Sequence, residues 1–470
     1  MLRSAAIHRS GWADMFVRRE LDYVPGGGDR IFMLVIKALG SFMGSLAVAI
    51  GALAPVVIKS ERFNATDYGH FVGGVGILAA FVALTAAHIS DKFNRVRILL
   101  WGMILPIVFH FLMAFMPDGH RTLFMVYYLF LGLTETWAIV TVSALLRDFS
   151  PRTGRALGVG LVTIGSQSAL WLSFWLTGHL LNRVGTWQHM FLIYGFITLG
   201  CWLLLVFFAR EPSKGIRAQI VYSMQDRERV EQRARVLEQE GVRVHGFLSF
   251  LVADWRLWLL AFGQGAFLIG YYTFVAYGPV FTVAAFKRTP QDASNLTSYL
   301  FAAILLGLFV GGILSDWLRL RKIPGMLFTI VAGVFLIVLG QTVGHQLSNG
   351  QIILLYVLSG FCMAMMWSPT NALFSENAED VAATRQTTAF GVQGLIYGVM
   401  VQVWVFFVLD LQKAHGWAFV WTVAGLFSIA TAVVIALCKG SWGRFPVEAP
   451  TPEPTPTTIV ASPAAATGLT

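Results

Sequence analysis

The sequence predicts an all-α integral membrane protein with twelve transmembrane helices arranged as two six-helix repeats. Of its 470 residues, 56% are hydrophobic and only 13% are charged, and the mean hydropathy is +0.67. A water-soluble chain of this length would need far more polar surface. The pattern Ser90-Asp91, at the end of the second apolar stretch, returns 225 residues later as Ser315-Asp316, at the end of the eighth. The protein is therefore predicted to be a duplicated membrane bundle.

Each apolar stretch has roughly the length of about 20 residues that a membrane-spanning helix needs. The first six predicted spans cover residues 31–58, 71–89, 98–116, 122–146, 156–181 and 187–209, and the second six cover 257–286, 298–314, 324–344, 351–374, 387–409 and 417–438. Strands of a membrane β-barrel are about ten residues long and alternate in polarity. The continuous runs favour helices, which satisfy their own backbone groups in lipid.

The segments outside the spans set the predicted domain boundaries. We expect a cytoplasmic arm at 1–30, a six-helix bundle at 31–209, a cytoplasmic linker at 210–254, a second six-helix bundle at 255–438 and a disordered tail at 439–470. The linker carries mixed charges with apolar residues at helical spacing, which predicts a surface helix. The tail is rich in Pro, Thr and Ala and has few large apolar residues to bury.

The distribution of lysine and arginine predicts the orientation. With both termini in the cytoplasm, 25 of these residues fall on the cytoplasmic side, and seven fall outside: Lys59, Arg62, Arg121, Arg183, Lys287, Arg288 and Lys413. Cationic loops are retained in the cytoplasm, so this asymmetry predicts a multi-pass plasma-membrane protein with cytoplasmic termini. The net charge of +9 is then explained by topology and by contact with anionic lipid, and no nucleic-acid partner is expected.

The duplication extends to a second pair of cytoplasmic turns. Asp148 and Arg155 in the first half correspond to Glu376 and Arg385 in the second, at offsets of 228 and 230 residues. Two six-helix units of parallel orientation, with acid and base at matching turns, are the arrangement expected of alternating-access carriers.

At these turns the chain resembles the major facilitator superfamily, whose loop signature is Gly-x-x-x-Asp-Arg/Lys-x-Gly-Arg-Arg/Lys. The first copy spans residues 87–97 around Asp91, with Ala87 and Asn94 at the glycine positions, and the second spans 312–322 around Asp316, with Trp317 at the cation position. The resemblance covers nearly all of 31–438. It implies a fold of two repeats, in which Asp91 caps a neighbouring helix and joins ion pairs with arginines such as Arg155.

We therefore expect a conformational latch on the cytoplasmic side that transport breaks and re-forms. Its predicted members are acids and arginines of the matching turns: Asp91, Arg95, Asp148, Arg155, Asp316, Glu376 and Arg385. The alternative is that the aspartates merely end their helices beside cations that hold the loops in the cytoplasm.

Ionisable residues inside membrane spans are costly and point to function. Glu135 lies near the middle of the fourth span, where loss of hydration raises the pKa of a carboxyl, so we predict that it loads and releases protons. The alternative is a protonated acid that ties two helices by a hydrogen bond. Lys37, six residues into the first span, either extends back to the headgroups or attracts an anion at the inner mouth of the cavity. His110 is expected to be structural.

The family resemblance implies a solute cavity lined by the first, fourth, seventh and tenth spans and framed by the second, fifth, eighth and eleventh. The candidate residues are polar or aromatic side chains at middle depth, together with Lys37: Gln167, Gln264, Tyr271, Tyr272, Tyr277, Trp367, Ser368, Asn371, Gln393 and Tyr397. Amides and aromatic hydroxyls on an apolar wall suit a small polar or amphipathic organic solute.

The predicted function is secondary active transport of such a solute, an organic anion or another amphipathic metabolite, in symport with protons and by a monomer. The fifth span lacks the Gly-Pro-x-x-Gly-Gly run of family drug exporters, which favours uptake. The alternatives are a proton-coupled exporter of a drug or lipid-like metabolite, and a sensor or assembly factor on the same fold. No cofactor, metal site or enzymatic activity is expected, because no catalytic, paired-cysteine or nucleotide-binding motif occurs.

Overall fold

The structure, a computed structural model, describes residues 20–21, 27–47, 49–92, 95–134, 155–213, 255–382 and 386–444. The side chains of Asp91, Arg95 and Arg155 are not among those described, and the predicted site residues Glu135, Asp148 and Arg385 lie outside the described ranges. Nine described helices are long and apolar enough to cross a membrane, or ten if one bent pair forms a single span.

The first half contains eight described helices, which bury apolar faces against one another. They are α1 (Gly27–Ala47), α2 (Ala54–Ser60), α3 (Ala65–Lys92), α4 (Arg95–Gly102), α5 (Ile104–Ala114), α6 (Arg121–Thr134), α7 (Arg155–Val184) and α8 (Trp187–Phe208), with a 3₁₀ turn at Ala49–Leu53. The first predicted span is thus divided between α1 and α2. The third is divided between α4 and α5, which Met103 separates.

The second half repeats this arrangement in five helices. They are α9 (Trp255–Phe286), α10 (Pro290–Leu318), α11 (Lys322–Gln341), α12 (Asn349–Ala382) and α13 (Gln386–Leu437). The last contains two predicted spans, because Gly416 at φ 81° breaks its helical backbone. A short parallel pairing joins β1 (Glu20–Leu21) in the N-terminal arm to β2 (Glu211–Pro212) at the start of the linker.

Several helices extend beyond their apolar stretches. The prediction placed the start of the eighth span at residue 298, but α10 begins at Pro290, because the Thr289 hydroxyl accepts a hydrogen bond from the Asp292 N–H and caps the helix. The tenth span was predicted to end at residue 374, whereas α12 continues to Ala382 and runs through Pro369 without interruption. Polar turns that hydropathy assigns to loops are therefore helical here.

Left-handed turns confirm the internal duplication independently of the charged motif. Arg62 and Lys287, 225 residues apart, have φ of 55° and 54°, and Gly119 and Gly344, also 225 apart, have φ of 76° and 88°. Side chains rarely adopt positive φ, so this recurrence is not expected by chance. Both pairs lie at the end of the bundle that we call the opposite face. The terminal face is the end where α1 begins and α13 finishes.

The two halves meet along two long helix seams. In one seam α7 packs against α10, and in the other α3 packs against α13. Where the helices are closest, glycines face backbone atoms of the other half. A Cβ on Gly73 would lie 2.6 Å from the Phe406 N, and one on Gly312 would lie 3.0 Å from the Ala156 O. Between the seams the halves separate and leave an internal cavity.

A candidate solute cavity between the two halves

The cavity has a volume of about 330 Å³ and takes its walls from both halves of the molecule. The first half contributes residues of α1, α3, α6 and α7, and the second half contributes residues of α9, α10, α12 and α13. Among the described residues, the walls contain no Asp, Glu, Lys, Arg or His. Polar groups on an otherwise apolar surface, in a volume near the lower end for ligand pockets, suit a small organic solute.

Seven of the predicted cavity residues line this space. They are Gln167, Tyr271, Tyr272, Trp367, Asn371, Gln393 and Tyr397. One contact among them crosses between the halves. The Gln167 Nε2 lies 2.8 Å from the Tyr271 hydroxyl oxygen, and the same hydroxyl lies 3.0 Å from the Gln167 Oε1. This pair joins α7 to α9 within the cavity.

A chain of amides forms the wall of the second half. The Gln393 Nε2 donates to the Oε1 of Gln264 and, at 3.4 Å, to the Oδ1 of Asn371. The Asn371 Nδ2 in turn donates to the Trp367 carbonyl at 3.0 Å. Gln264, which the sequence analysis placed in the cavity, is fully buried and does not line it; its Oε1 accepts from Gln393 and so positions that side chain.

Aromatic rings give the cavity its apolar surface. Tyr271 and Tyr272 meet edge to face with centroids 5.1 Å apart, and Trp367 and Tyr397 meet similarly at 6.5 Å. Tyrosine and tryptophan rings combine an apolar body with a polar tip, so they can pack against an apolar part of a solute while bonding a polar group. The arrangement favours a solute with both parts.

Two predicted cavity residues point elsewhere. The Tyr277 hydroxyl donates to the Val405 carbonyl at 2.9 Å, and the Ser368 hydroxyl donates to the Leu308 carbonyl at 3.1 Å. Both residues are fully buried between helices. Placing them in the cavity was wrong, because each hydroxyl satisfies a backbone carbonyl of a neighbouring helix and each side chain faces away from the open space.

Lys37 is buried, with 1% of its surface exposed, and does not line the cavity. Ser41 and Ser45, which follow it at spacings of four and eight residues, do line it. Lys37 therefore lies on the cavity side of α1, about one helical turn closer to the terminal face. Its burial contradicts the hypothesis that it extends to the headgroups.

The sequence interpretation missed several polar residues of the walls. These include Ser41, Ser45, Tyr68, Tyr128, Thr163, Ser166 and Gln402. The four-residue spacing of the two serines in an otherwise apolar helix was a usable signal. The tyrosines gave none, because a buried tyrosine in a helix bundle usually packs. His110 is structural as predicted, since it is fully buried and its Nδ1 lies 2.7 Å from the Pro106 carbonyl.

At the terminal face, Asp316 and Glu376 of the predicted latch meet on one arginine that the prediction did not include. Arg321, 3% exposed, donates to the Asp316 Oδ1 at 2.7 Å and to the Glu376 Oε1 at 3.2 Å. The other oxygen of Asp316 accepts from the Leu157 N–H at 2.9 Å, in the first turn of α7. Asp316 thus binds the positive end of a helix in the other half, the capping role that the family resemblance implied for Asp91.

At the opposite face, one polar side-chain contact between the halves lies in the seam of α3 and α13. The His70 Nε2 is 2.7 Å from the Asp410 Oδ2, and the two side chains are 39% and 41% exposed. The His70 ring also stacks on Phe406, with centroids 4.3 Å apart. The cavity therefore lies between polar inter-half contacts at both ends of the molecule.

The fold is shared with a solved membrane transporter. The structure aligns with a TM-score of 0.64 and 14% sequence identity to the "partially occluded inward open conformation of the xylose transporter XylE from E. coli". The alignment covers 86% of this chain and 98% of that one. At this identity the similarity concerns the fold.

Three curated proteins are similar in sequence. A probable chloroplastic anion transporter 3 of Oryza sativa subsp. japonica is 22% identical over an aligned region. That region covers 48% of this chain and only 44% of that protein. The 4-hydroxybenzoate transporter PcaK of Acinetobacter baylyi is 22% identical over 83% of this chain and 86% of its own length. A putative metabolite transport protein of Haemophilus influenzae is 25% identical over 78% of this chain and 86% of its own length.

The family model of the Major Facilitator Superfamily matches residues 32–402, most of the chain. This range begins in α1 and reaches the eleventh predicted span, so it includes both copies of the loop signature and both walls of the cavity. With the fold, the cavity and the relatives in agreement, the chain belongs to the Major Facilitator Superfamily and is a multi-pass membrane transporter of small solutes.

Proposed function

We propose that this protein is a secondary active transporter that takes up a small organic anion or amphipathic metabolite in symport with protons, by alternating access. The observation that carries the proposal is the aromatic cavity, in which amides and tyrosine hydroxyls of both halves converge. A solute held there contacts both walls at once. Its binding therefore changes the energy of any motion that separates them.

The contact of Gln167 with Tyr271 supports a direct role of the solute in that motion. Because this pair crosses the halves inside the cavity, a solute carboxylate can accept hydrogen bonds from the Gln167 Nε2 and the Tyr271 hydroxyl in exchange for the bonds between them. When the solute replaces this hydrogen bond, the direct link between the halves is lost at that point. The two halves can then rock relative to each other as rigid bodies.

Two observations support an anionic group on the solute. Lys37 is buried and precedes Ser41 of the cavity wall by four residues, about one helical turn, so its positive charge attracts an anion that enters the cavity. Two relatives are named as transporters of anions or of 4-hydroxybenzoate, an aromatic carboxylate of the kind that rings and amides bind. The uncharged walls suit the remaining apolar body of such a molecule.

Proton coupling is assigned to Glu135 from its position in the sequence. Gly132 lines the cavity, and Glu135 follows it three residues later, about one turn along the helix predicted at 122–146. We propose that its carboxyl takes up a proton on one side of the membrane, releases it on the other, and exchanges ion-pair partners with Lys37. The protein is proposed to act as a monomer in the plasma membrane with cytoplasmic termini.

The test is solute-driven proton flux in proteoliposomes that contain a pH-reporting dye. Aromatic carboxylates including 4-hydroxybenzoate, sugars, amphipathic drugs and lysolipids are compared, with the unmodified protein and Glu135→Gln. Carboxylate-dependent proton uptake that is lost in Glu135→Gln, with solute exchange retained, is the expected result. Proton flux in the opposite direction with drugs or lysolipids would instead establish the exporter. Solute-induced stabilisation without flux would indicate a sensor or a uniporter.

Matched tyrosine variants test the cavity. Tyr271→Phe removes a hydroxyl that bonds within the cavity, whereas Tyr356→Phe removes a fully buried hydroxyl that bonds Thr282 at 2.6 Å outside it. We expect Tyr271→Phe to raise the KM about tenfold, a loss of about 1.4 kcal/mol of solute binding. Tyr356→Phe should leave the KM unchanged. Equal effects of the two variants would remove the assignment of the solute to this cavity.

A further inference from the structure

A second polar cluster lies at the opposite face, outside the cavity, where all three loops of the first half converge. Ser60 ends α2 and Glu61 follows it, Asp118 and Gly119 precede α6, and Gln188 lies in the first turn of α8. The Ser60 hydroxyl lies 3.2 Å from the Asp118 Oδ1 and 3.3 Å from the Glu61 Oε1. These contacts make one network of side chains from separate segments.

The network contains more hydrogen-bond acceptors than donors. The Gly119 N–H donates to the Glu61 Oε1 at 3.4 Å, and the Gln188 Nε2 donates to the Asp118 Oδ1 at 2.5 Å. The Ser60 hydroxyl has a single proton, so it can serve only one of its two carboxylate neighbours at a time. Two carboxylates therefore share too few donors.

Two buried oxygens of this network have no partner within the described part of the chain. They are the Glu61 Oε2 and the Gln188 Oε1, on side chains that are 1% and 6% exposed. A buried acceptor without a donor costs about 1–3 kcal/mol, and more when it is charged. The cluster thus contains acceptor oxygens that lack a donor among the described residues.

The second half satisfies the corresponding loops with a cation of its own. Its left-handed turns at Lys287 and Gly344 match those at Arg62 and Gly119 of the first half. There, the Arg288 Nη2 donates to the Leu347 carbonyl at 2.8 Å and ties the two loops together. In the second half the two loops are thus joined by the guanidinium of Arg288, whereas the corresponding loops of the first half are joined through acidic side chains.

Three cationic side chains lie in or next to the same loops, and none forms an ion pair with Glu61 or Asp118 among the described residues. Arg121 pairs with Asp67 at 3.3 Å and lies over the Phe63 ring at 4.5 Å. Lys59 and Arg62 are exposed and form no ion pair with Glu61 or Asp118 among the described residues. His120 is the titratable side chain of the opposite sign that acts on Glu61. Asp118 is exposed, which leaves a path from solvent.

We infer that Glu61, Asp118 and Gln188 bind a hard cation, Ca²⁺ or Na⁺, that ties the three opposite-face loops of the first half together. Carboxylate, amide and hydroxyl oxygens are the ligands of such ions. Two of the proposed ligands are carboxylates and the third is an amide, and the described ranges contain no group of three or more His, Cys, Asp or Glu side chains arranged to hold a metal. The site is separate from the solute cavity and does not depend on the proposed function.

The experiment uses the full chain in lipid nanodiscs, freed of metal with a chelator and kept in choline chloride at about pH 8, where carboxylates are ionised. CaCl₂ and NaCl are titrated separately, and the unfolding temperature and the binding of radioactive Ca²⁺ or Na⁺ are measured. We expect saturable binding and stabilisation by one of the two ions, at least about tenfold weaker in Glu61→Gln. Which titration saturates identifies the ion.

Two further variants keep the test decisive if Glu61→Gln does not fold. Asp118→Asn alters an exposed ligand and should weaken binding similarly. Asp67→Asn alters an acid of the same face outside the cluster and should leave binding unchanged. Absence of ion-specific binding, or equal binding in all variants, would overturn the inference. So would stability that depends only on pH and loses that dependence in Glu61→Gln, because the buried oxygen would then hold a proton.

Discussion

The terminal and opposite faces hold the two halves together by different physical means. At the terminal face, Asp316 shares the buried guanidinium of Arg321 with Glu376 and also binds the first turn of α7 in the other half. At the opposite face, His70 and Asp410 form a pair that is about 40% exposed on each side. Buried charges are weakly screened, whereas exposed ones are screened by water and salt.

The difference assigns separate roles to charge and to packing. Opening the terminal face must break the charge-assisted bond from the Leu157 N–H to Asp316, which a proton or a solute anion can influence. Close glycine contacts occur in both seams, Gly312 with Ala156 and Gly73 with Phe406, but among the described residues no buried ion pair accompanies them at the opposite face. Packing of this kind depends on shape and is insensitive to pH and salt. Solute and proton are therefore expected to act on the terminal face more than on the opposite one.

The largest expected effect comes from filling a close contact of the opposite face. Gly73→Ala places a Cβ 2.6 Å from the backbone of Phe406, which cannot move without separating α3 from α13. We expect a loss of about 3 kcal/mol in stability of the closed opposite face, the upper part of the range for overpacking. Thermal unfolding in nanodiscs and the rate of solute exchange measure it.

The neighbouring glycine is the control for that variant. A Cβ on Gly74 would meet nothing within 4 Å, so Gly74→Ala should be neutral or should stabilise the helix by up to about 1 kcal/mol. Similar losses in both variants would show that packing between the seams does not close this face.

A smaller effect is expected from the charged network of the terminal face. Asp316→Ala removes one acid from Arg321 and the acceptor from the Leu157 N–H. The loss should be about 2 kcal/mol, as for a charge-assisted hydrogen bond, because Glu376 still neutralises the arginine. Unfolding at increasing salt gives the measurement.

That loss should change little between low and high salt, since the network is buried. Asp292→Asn is the control variant. It removes an acid at the exposed start of α10, where its hydrogen bond is to Thr289 of the same half. A loss for Asp316→Ala no larger than that for Asp292→Asn would contradict the latch.

The smallest effect is expected at the exposed pair. His70→Gln and Asp410→Asn, alone and combined, should give a coupling energy below about 1 kcal/mol in a double-mutant cycle. The coupling is small because both side chains are exposed to water, which screens the pair. High salt should weaken it further. A coupling energy larger than the loss measured for Asp316→Ala would reverse the comparison between the faces.

Sequence reasoning predicted the fold and about half of the cavity. It identified Gln167, Tyr271 and Gln393 because amides and hydroxyls at middle depth of a membrane span are rare enough to indicate function. It misplaced Tyr277 and Ser368 by the same rule, because a hydroxyl can equally bond a neighbouring carbonyl. It missed Arg321, which the loop signature places beside the predicted acids but whose partners depend on how α10 and α12 pack.

The sequence by itself determined the membrane environment, the approximate spans, the duplication and the family, because these follow from local composition and from motifs that recur at a fixed offset. The tertiary structure decided which face of each helix lines the cavity and which charged groups meet. Helices that are apolar all round give no periodic signal for their inward face. Their rotation is set by contacts between helices distant in sequence, such as Gly73 with Phe406 and Asp316 with Leu157.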